Sequence, residues 1–226
     1  MSKPRLLDLF SGAGGCARGY QLAGFHVTGV DLKPQPRYAG DVFIQGDALE
    51  YVREHGHEYD AIHASPPCQA FTRAKFLRIA QGRSTQAPDL IEPTRAALAV
   101  SGKPYAIENV EGAPLIDPVL LCGSMFGLRV RRHRLFETNV FLLRPVCQHA
   151  TAPRPVGVHS WGKWGHEIPS GGKLAASLED AQDAMGIDWM KRPELAEAIP
   201  PAYTLFIGRQ LLAALTRSQD TERAAA

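Results

Sequence analysis

Residues 8–15 read DLFSGAGG, and this stretch together with its two flanks decides the fold of the chain. The apolar run Arg5–Phe10 predicts a short buried strand, and Cys16–Ala23 predicts a helix with Gly24 in the C-cap position. A glycine-rich turn between a strand and a helix lets the backbone pass close to a ligand, and the free N–H groups of the helix favour an anionic group there. The stretch therefore predicts an α/β unit with a cofactor loop of the nucleotide-binding type.

The alternation of strands and helices continues downstream of this unit. The pattern predicts strands at Phe25–Val30, Val42–Gln45, Tyr59–Ala64 and Tyr105–Glu108, and helices at Ala48–His55 and Asp89–Ser101. Leu120–Phe141 has the pattern of antiparallel strands that complete the sheet. Alternation at this spacing predicts an α/β fold, in which a mostly parallel sheet has helices on both faces. Ligands of such sheets bind beyond the carboxyl ends of the strands, so functional residues are expected there.

The composition is that of an ordinary globular protein, with 45% hydrophobic and 21% charged residues. No apolar run approaches the roughly 18 residues of a membrane span, and residues 1–5 lead directly into the first strand, so neither a membrane segment nor a signal peptide is expected. The net charge of +2 permits nucleic-acid binding without arguing for it. Four cysteines lack paired spacing, which favours reduced thiols and a cytoplasmic location; they are Cys16, Cys68, Cys122 and Cys147.

Composition and periodicity divide the chain into four predicted parts. Residues 1–143 form the catalytic and cofactor-binding core. Residues 144–190 form a loop segment in which Pro, Gly, His and Trp are frequent, and residues 191–217 supply C-terminal helices that complete the core. Residues 218–226 are predicted to be a disordered tail, as chain ends often are. One such domain is expected to be a monomer.

The predicted cofactor loop carries three glycines, Gly12, Gly14 and Gly15. Asp31 closes the second strand, where an acid commonly accepts hydrogen bonds from both ribose hydroxyls. Asp47 is placed to accept a hydrogen bond from an adenine amino group, and Phe10 is placed to pack against the adenine ring. Loop capping is the structural alternative for both acids. The sequence lacks the Gly-Lys-Ser/Thr of a Walker motif, which argues against triphosphate chemistry.

A candidate nucleophile, a proton donor and two cations are each predicted to lie on a loop at the end of a strand. Cys68 lies in residues 66–69, which read PPCQ, and Glu108 ends a later strand, followed by Arg132 and Arg134. A thiol that attacks an electron-poor ring needs a group that protonates the ring, and nearby positive charge favours the thiolate. The set therefore predicts covalent attack on such a ring. A buried structural cysteine is the alternative for Cys68, but a Pro-Pro turn favours exposure.

Together these motifs resemble those of the cytosine-C5 DNA methyltransferases, and the resemblance runs from Leu6 to about Phe136. It implies the Rossmann-like fold of S-adenosylmethionine-dependent methyltransferases, with S-adenosylmethionine as the cofactor. It also implies methyl transfer to C5 of a cytosine that is flipped out of double-stranded DNA. Compact members of the family occur in phage-like genomes, and this chain is similar to them.

The resemblance implies a role for each motif residue. Cys68 adds to C6 of the base, Glu108 protonates N3, and Arg132 and Arg134 hold the base O2 and a nearby phosphate. The implied cofactor contacts are Phe10, Gly12, Gly14, Gly15, Asp31, Asp47 and Pro67. The implied substrate-positioning residues are Gln69, Asn109, Arg73 and Lys75, and Arg78 and Arg83 belong to the same basic cluster.

The chain departs from the family pattern at several positions. Val130 stands where the family has a glutamine before the arginines, and residues 198–203 lack the Gly-Asn pair of the closing motif. The stretch between Arg134 and Ala198 is too short for a separate base-reading domain, so a reduced recognition region and a short target sequence are expected. Its aromatic and basic residues could stack on bases or form a small core; they are His159, Trp161, Lys163, Trp164 and His166.

One cysteine and three histidines between residues 147 and 166 are of the types that bind metals. They are Cys147, His149, His159 and His166. Their spacing matches no common zinc pattern, so no metal is expected.

Three other functions stay open from the sequence. A relative with the same motifs methylates a tRNA cytosine, so RNA is an alternative substrate. A non-catalytic nucleic-acid-binding module could keep the fold, but a chain that had lost activity would be expected to lose Cys68, Glu108 and the two arginines first. A dehydrogenase shares the glycine turn and Asp31, but it leaves residues 66–69 unexplained.

Overall fold

The computed structural model describes residues 2–71, 88–158, 165–168 and 172–225. The strands of its main sheet are β1 Arg5–Leu9, β2 His26–Asp31, β3 Val42–Gln45, β4 Ala61–Ala64, β5 Tyr105–Asn109, β6 Val119–Leu121 and β7 Arg134–Thr138. The helices are α1 Gly15–Ala23, α2 Ala48–His55, α3 Ile91–Ser101, α4 Leu178–Met185, α5 Arg192–Glu197 and α6 Pro201–Ala225. Two short 3-10 helices cover Gly56–Glu58 and Gly123–Phe126.

The seven strands follow the order β3-β2-β1-β4-β5-β7-β6 across the sheet. β1 to β5 pair in parallel, and β7 is antiparallel to both of its neighbours, β5 and β6. The prediction of a mostly parallel sheet that antiparallel strands complete is therefore confirmed.

Alternate side chains of β1 enter two separate cores. Leu6 packs in a cluster with Tyr20 of α1 and Tyr203 of α6, while Leu7 packs in a cluster with Val52 of α2 and Leu98 of α3. Successive residues of a strand point to opposite faces, so the two clusters lie on the two sides of the sheet. Helices on both faces, as predicted, are confirmed.

The parallel strands bring their carboxyl ends to one edge of the sheet. Leu9 of β1 pairs with Val30 of β2 and with Ala64 of β4, and Ala64 pairs with Ile107 of β5. The segments that follow these residues therefore start side by side. They are the glycine turn, Asp31, the PPCQ turn and Glu108, which is the arrangement that the topology predicts for a ligand site.

Residues 144–190 contain more structure than the predicted loop segment. Three short strands form a second sheet in the order β8-β10-β9, with β8 Val156–Gly157, β9 Glu167–Ile168 and β10 Gly172–Leu174. Strands of two or three residues are too short to show an alternating pattern, so periodicity could not reveal them. Helix α4 was also missed, although Ser177 accepts a hydrogen bond from the Asp180 N–H as a sequence-visible N-cap.

Helix α6 continues to Ala225, through most of the segment from residue 218 that the sequence predicts to be a disordered tail. No Gly or Pro follows Gly208, and the last residues are mostly Ala, Gln, Glu and Arg, which favour the helix. Although α6 is long, no helix among the described residues is apolar enough to cross a membrane.

Candidate active site

The glycine turn after β1 is tied to the end of β2. The Gly12 N–H donates to Asp31 Oδ2 at 2.9 Å, and the Gly14 N–H donates to the Ser11 carbonyl at 3.1 Å. Gly12 and Gly14 have φ of 50° and 83°, and Phe10 also lies in the left-handed region with φ of 57°. A bulky residue in this region is held there by its surroundings, and such positions concentrate at functional sites.

The three glycines of the turn differ in what they approach. A Cβ on Gly14 would lie 2.8 Å from the Ala39 nitrogen, and one on Gly15 would lie 2.5 Å from the Ile199 oxygen. A Cβ on Gly12 would meet no atom of the described structure within 4 Å. Gly14 and Gly15 therefore make room for the protein's own backbone, and Gly12 is the one that faces open space.

Both predicted cofactor acids also support the local backbone. Asp31 Oδ1 accepts from the Lys33 N–H at 2.9 Å. Asp47 caps α2, because its Oδ1 accepts from the N–H groups of Leu49 and Glu50 at 2.8 and 2.9 Å. The capping alternative is thus realised for Asp47, whose side chain is exposed at the carboxyl end of β3.

Beneath the turn lies Asp8, the first residue of the DLFSGAGG stretch, for which the sequence predicts no role of its own. Asp8 is fully buried, and neither of its oxygens has a hydrogen bond of normal geometry within the described residues. Burial and the neighbouring Asp31 carboxylate raise the pKa of Asp8 well above its usual range, and the Ala17 backbone N–H offsets only part of this. The Ser11 hydroxyl is also buried without a partner in the described structure. Buried polar atoms of this kind fit a ligand that brings hydrogen-bond donors.

A buried histidine connects α1 to the segment that carries Cys68. His63 Nδ1 lies 2.9 Å from the Tyr20 hydroxyl, and His63 Nε2 lies 2.9 Å from Ser65 Oγ. Burial lowers the pKa of His63 to about 3, so the ring is neutral at physiological pH. Ser65, which belongs to no predicted motif, stands directly before the PPCQ turn and is held in place by this contact.

The PPCQ turn is fixed by Asn109 at the end of β5. Asn109 Nδ2 donates to the buried Pro66 carbonyl at 2.9 Å, and Asn109 Oδ1 accepts from the Val110 N–H at 2.9 Å. The Phe71 N–H donates to the Cys68 carbonyl at 2.9 Å and closes the turn. Cys68 is partly exposed as a result, and Gln69 beside it is exposed.

Glu108 is buried in contact with Arg134. Arg134 Nε lies 3.1 Å from Glu108 Oε1, and the Glu108 side chain is only 8% exposed. Burial raises the pKa of Glu108 above its usual range, although Arg134, Ser65 and Arg132 each lower it. A glutamate that keeps its proton to higher pH can act as an acid, which is the property that a proton donor at this position needs.

Cys68 has a raised pKa, contrary to the expectation that the arginines would favour its thiolate. Burial and Glu108 raise the pKa of the Cys68 thiol, while Arg134 and Arg132 lower it without outweighing them. The sequence shows which charges are near, but the degree of burial that decides the balance comes from the fold.

The C-terminal helices contact residues 131–134, which we call the arginine segment. Arg132 has φ of 36°, and its Nη2 donates to the Ala196 carbonyl at 2.7 Å. The Tyr203 hydroxyl donates to the carbonyls of Arg131 and Arg132 at 3.2 and 2.9 Å. Burial and Arg134 lower the pKa of Arg132 to about 9, which leaves it protonated at neutral pH. Val130, in the place of the family's glutamine, is buried in an apolar cluster.

Several predicted nucleic-acid contacts lie outside the described residues. These are Arg73, Lys75, Arg78, Arg83, His159, Trp161, Lys163 and Trp164. His166 is described and is exposed. The site that the structure does bring together is therefore the cofactor turn with Cys68, Glu108, Arg132 and Arg134.

Two curated relatives are similar to part of the chain. The type II methyltransferase M.AquIA of Picosynechococcus sp. is 30% identical over 125 residues, which are 48% of this chain and 49% of that protein. The type II methyltransferase M.HindV of Haemophilus influenzae is 28% identical over 119 residues, which are 47% of this chain and 38% of that protein. The chain thus matches about half or less of each relative's length. No protein-family model matches it.

Two solved structures share the fold over nearly the whole chain. A protein described as a proposed DNA modification methyltransferase encoded within a prophage (E. coli) has a TM-score of 0.62 at 14% identity, and the match covers 94% of this chain and 99% of that one. The S. pombe Dnmt2 methyltransferase has a TM-score of 0.63 at 15% identity with the same coverage. The chain therefore has the Rossmann-like methyltransferase fold that the sequence predicts.

Proposed function

We propose that this chain is a DNA (cytosine-5-)-methyltransferase that uses S-adenosylmethionine and a covalent Cys68 adduct. The observation that carries the proposal is the contact of a buried, high-pKa Glu108 with Arg134, next to a Cys68 turn that Asn109 fixes. The partial likeness to two type II methyltransferases supports it. Methylation by way of a thiol adduct needs this combination of nucleophile, acid and cation.

The residues at the sheet edge fit the proposed cofactor. Gly12 faces open space, Asp31 and Asp47 stand at the ends of β2 and β3, and the unpartnered Asp8 carboxylate lies beneath the turn. In this proposal the turn and Pro67 contact the methionine part, Asp31 accepts from the ribose hydroxyls, and Asp47 accepts from the adenine amino group, against which Phe10 packs. The carboxylate oxygens of Asp31 already accept backbone N–H groups, which fixes their orientation for a ligand.

Bound S-adenosylmethionine would supply an electrophilic methyl group for C5 of the base. Cys68 loses its proton to solvent and adds to C6 as a thiolate, while Glu108 gives its proton to N3 so that the electron pair can reach C5. After C5 is methylated, its proton leaves to a water molecule. The C6–S bond then breaks and N3 returns its proton to Glu108, which restores the thiolate, the acid and the aromatic ring.

The arginines have distinct roles in this mechanism. Arg134 is aligned by Glu108, and Arg132 is aligned by the Ala196 carbonyl, so both guanidinium groups are oriented before substrate arrives. They would hold the base O2 and a phosphate, and both lower the pKa of Cys68. Addition from one side of the ring and methylation from the other require the cytosine to leave the base stack.

A compact recognition region is part of the proposal. Residues 144–190 hold a three-stranded sheet and one helix in the described structure, which leaves few side chains to read base edges. We expect a short target sequence. RNA stays an alternative substrate, because nothing in the described site distinguishes deoxyribose from ribose.

The proposal is tested by incubation with S-adenosylmethionine labelled in its methyl group, in parallel with duplex DNA, single-stranded DNA and tRNA. Label should enter duplex DNA as 5-methylcytosine, and Cys68→Ser should abolish this. Labelling of tRNA alone would replace DNA by RNA as the substrate. Label found on adenine or on an exocyclic amino group would refute the C5 assignment.

A further inference from the structure

Four potential metal ligands that do not belong to the cofactor turn converge in the structure. They are Cys122, His133, Cys147 and His149, and their donor atoms all lie within 4.8 Å of one another. Cys122 follows β6, and His133 precedes β7, while the other two belong to a segment further along the chain. Spacing in the sequence did not predict this set, because its members come from three separate segments.

The distances agree with tetrahedral zinc coordination. Cys122 Sγ lies 3.2 Å from His149 Nε2, His133 Nε2 lies 3.3 Å from His149 Nε2, and Cys147 Sγ lies 3.7 Å from His133 Nε2. Zinc bonds of about 2.3 Å to sulfur and about 2.0–2.1 Å to nitrogen, at tetrahedral angles, place S and N about 3.5 Å apart and two N atoms about 3.4 Å apart. The four atoms therefore surround a point that a zinc ion fits.

The surrounding groups also orient these ligands. His133 Nδ1 lies 3.3 Å from Glu111 Oε2, which fixes Nε2 as the atom that faces the cluster. Metal-binding histidines commonly donate their second ring N–H to a carboxylate in this way. Ser124 Oγ lies 3.2 Å from Cys122 Sγ and accepts from the Gln148 N–H at 3.1 Å, so it joins two of the ligand-bearing segments.

Neither a disulfide nor apolar packing explains why these four side chains converge, whereas a bound metal ion does. A Cys122–Cys147 disulfide would leave the convergence of two histidines unexplained, and both thiols are free. Apolar packing does not fix the segment that carries Cys147 and His149 either, because the Val146 side chain next to Cys147 is 79% exposed. A second group of ligand types, Asp8, Cys16 and His63, is a weaker candidate, since both nitrogens of His63 already face other side chains.

We propose that Cys122, His133, Cys147 and His149 bind one structural zinc ion. Four protein ligands of this kind close the coordination sphere, which is typical of structural rather than catalytic zinc. Because His133 stands between Arg132 and Arg134, the ion would tie residues 144–153 to the arginine segment of the candidate active site. The inference does not depend on the proposed methyltransferase activity.

Metal analysis of the full-length protein, purified under reducing conditions, tests the proposal. Inductively coupled plasma mass spectrometry should find one zinc per chain after dialysis, and X-ray absorption should show two sulfur ligands at about 2.3 Å and two nitrogen ligands at about 2.0 Å. Wild-type protein that neither retains zinc nor takes it up when zinc chloride is added would overturn the proposal.

Variants assign the zinc to these residues. Cys147→Ser and His149→Ala should lose the bound zinc, whereas Cys68→Ser, which removes a cysteine elsewhere, should keep it. Glu111→Gln should lower zinc affinity by about 10–100-fold in a chelator competition, and Glu50→Gln, an exposed carboxylate on α2, should not. Zinc that survives in both ligand variants, or that only Cys16→Ser removes, would place the ion elsewhere and refute the assignment.

Discussion

Replacement of Asn109 by Ala tests how the Cys68 turn is held. The change removes the donor to the Pro66 carbonyl and the acceptor for the Val110 N–H. The Pro66 carbonyl is buried, and a buried acceptor without a partner costs about 1–3 kcal/mol. The Val110 N–H is only partly buried and can bind water instead, so the loss of its acceptor costs a further amount of about 0.5–1.5 kcal/mol. We expect Asn109→Ala to lower the free energy of unfolding by about 1.5–4.5 kcal/mol in total.

Asn139 offers a matched control for this experiment. Its side chain also makes two hydrogen bonds to backbone groups, at Tyr105 and Lys103, but both are exposed and water can replace them. Urea unfolding should therefore show a clearly smaller loss for Asn139→Ala. Methylation by Asn109→Ala should also be slower at saturating substrate, because Cys68 is no longer positioned. Equal destabilisation by the two variants, with unchanged turnover, would refute the role given to Asn109.

Three further predictions concern the sheet edge and its supports. The raised pKa of Asp8 favours its protonated form in the folded state, so wild-type stability relative to Asp8→Asn should fall as pH rises above about 4, the ordinary pKa of an Asp. Thermal melts that show a constant difference between the two proteins would contradict this. Gly15→Ala should cost about 1–3 kcal/mol by overpacking, whereas Gly46→Ala, whose Cβ meets nothing within 4 Å of the described structure, should stay within about 0.5 kcal/mol in urea unfolding. Tyr203→Phe should cost about 0.5–1.5 kcal/mol and slow methylation, because the Arg132 carbonyl loses its donor, while calorimetry should show unchanged cofactor affinity.

Most of the main sheet could be predicted from the sequence because its parallel strands, of four to six residues, are long enough to show a period. The helix Ala48–His55 and the strand Val42–Gln45 have the predicted bounds, and Gly24 is the C-cap of α1. Residues 144–190 were less predictable, since strands of two or three residues carry no period.

The candidate site was predictable in its residues but not in its energetics. Cys68, Glu108 and Asn109 were visible because each lies at or just after the end of a strand in a distinctive local sequence. The raised pKa of Cys68 and the unpartnered carboxylate of Asp8 depend on burial, which only the tertiary structure sets. The Cys122–His133–Cys147–His149 cluster was not predicted either, because its members come from separate segments that only the fold brings together.

The most direct test of the covalent mechanism uses duplex DNA that contains 5-fluorocytosine. Fluorine at C5 cannot leave as a proton, so the adduct should persist once the base has been methylated. Peptide mapping by mass spectrometry should then find the methylated base attached to Cys68, and only when S-adenosylmethionine is present. An adduct on another residue, or one that also forms with Cys68→Ser, would contradict the assignment of the nucleophile.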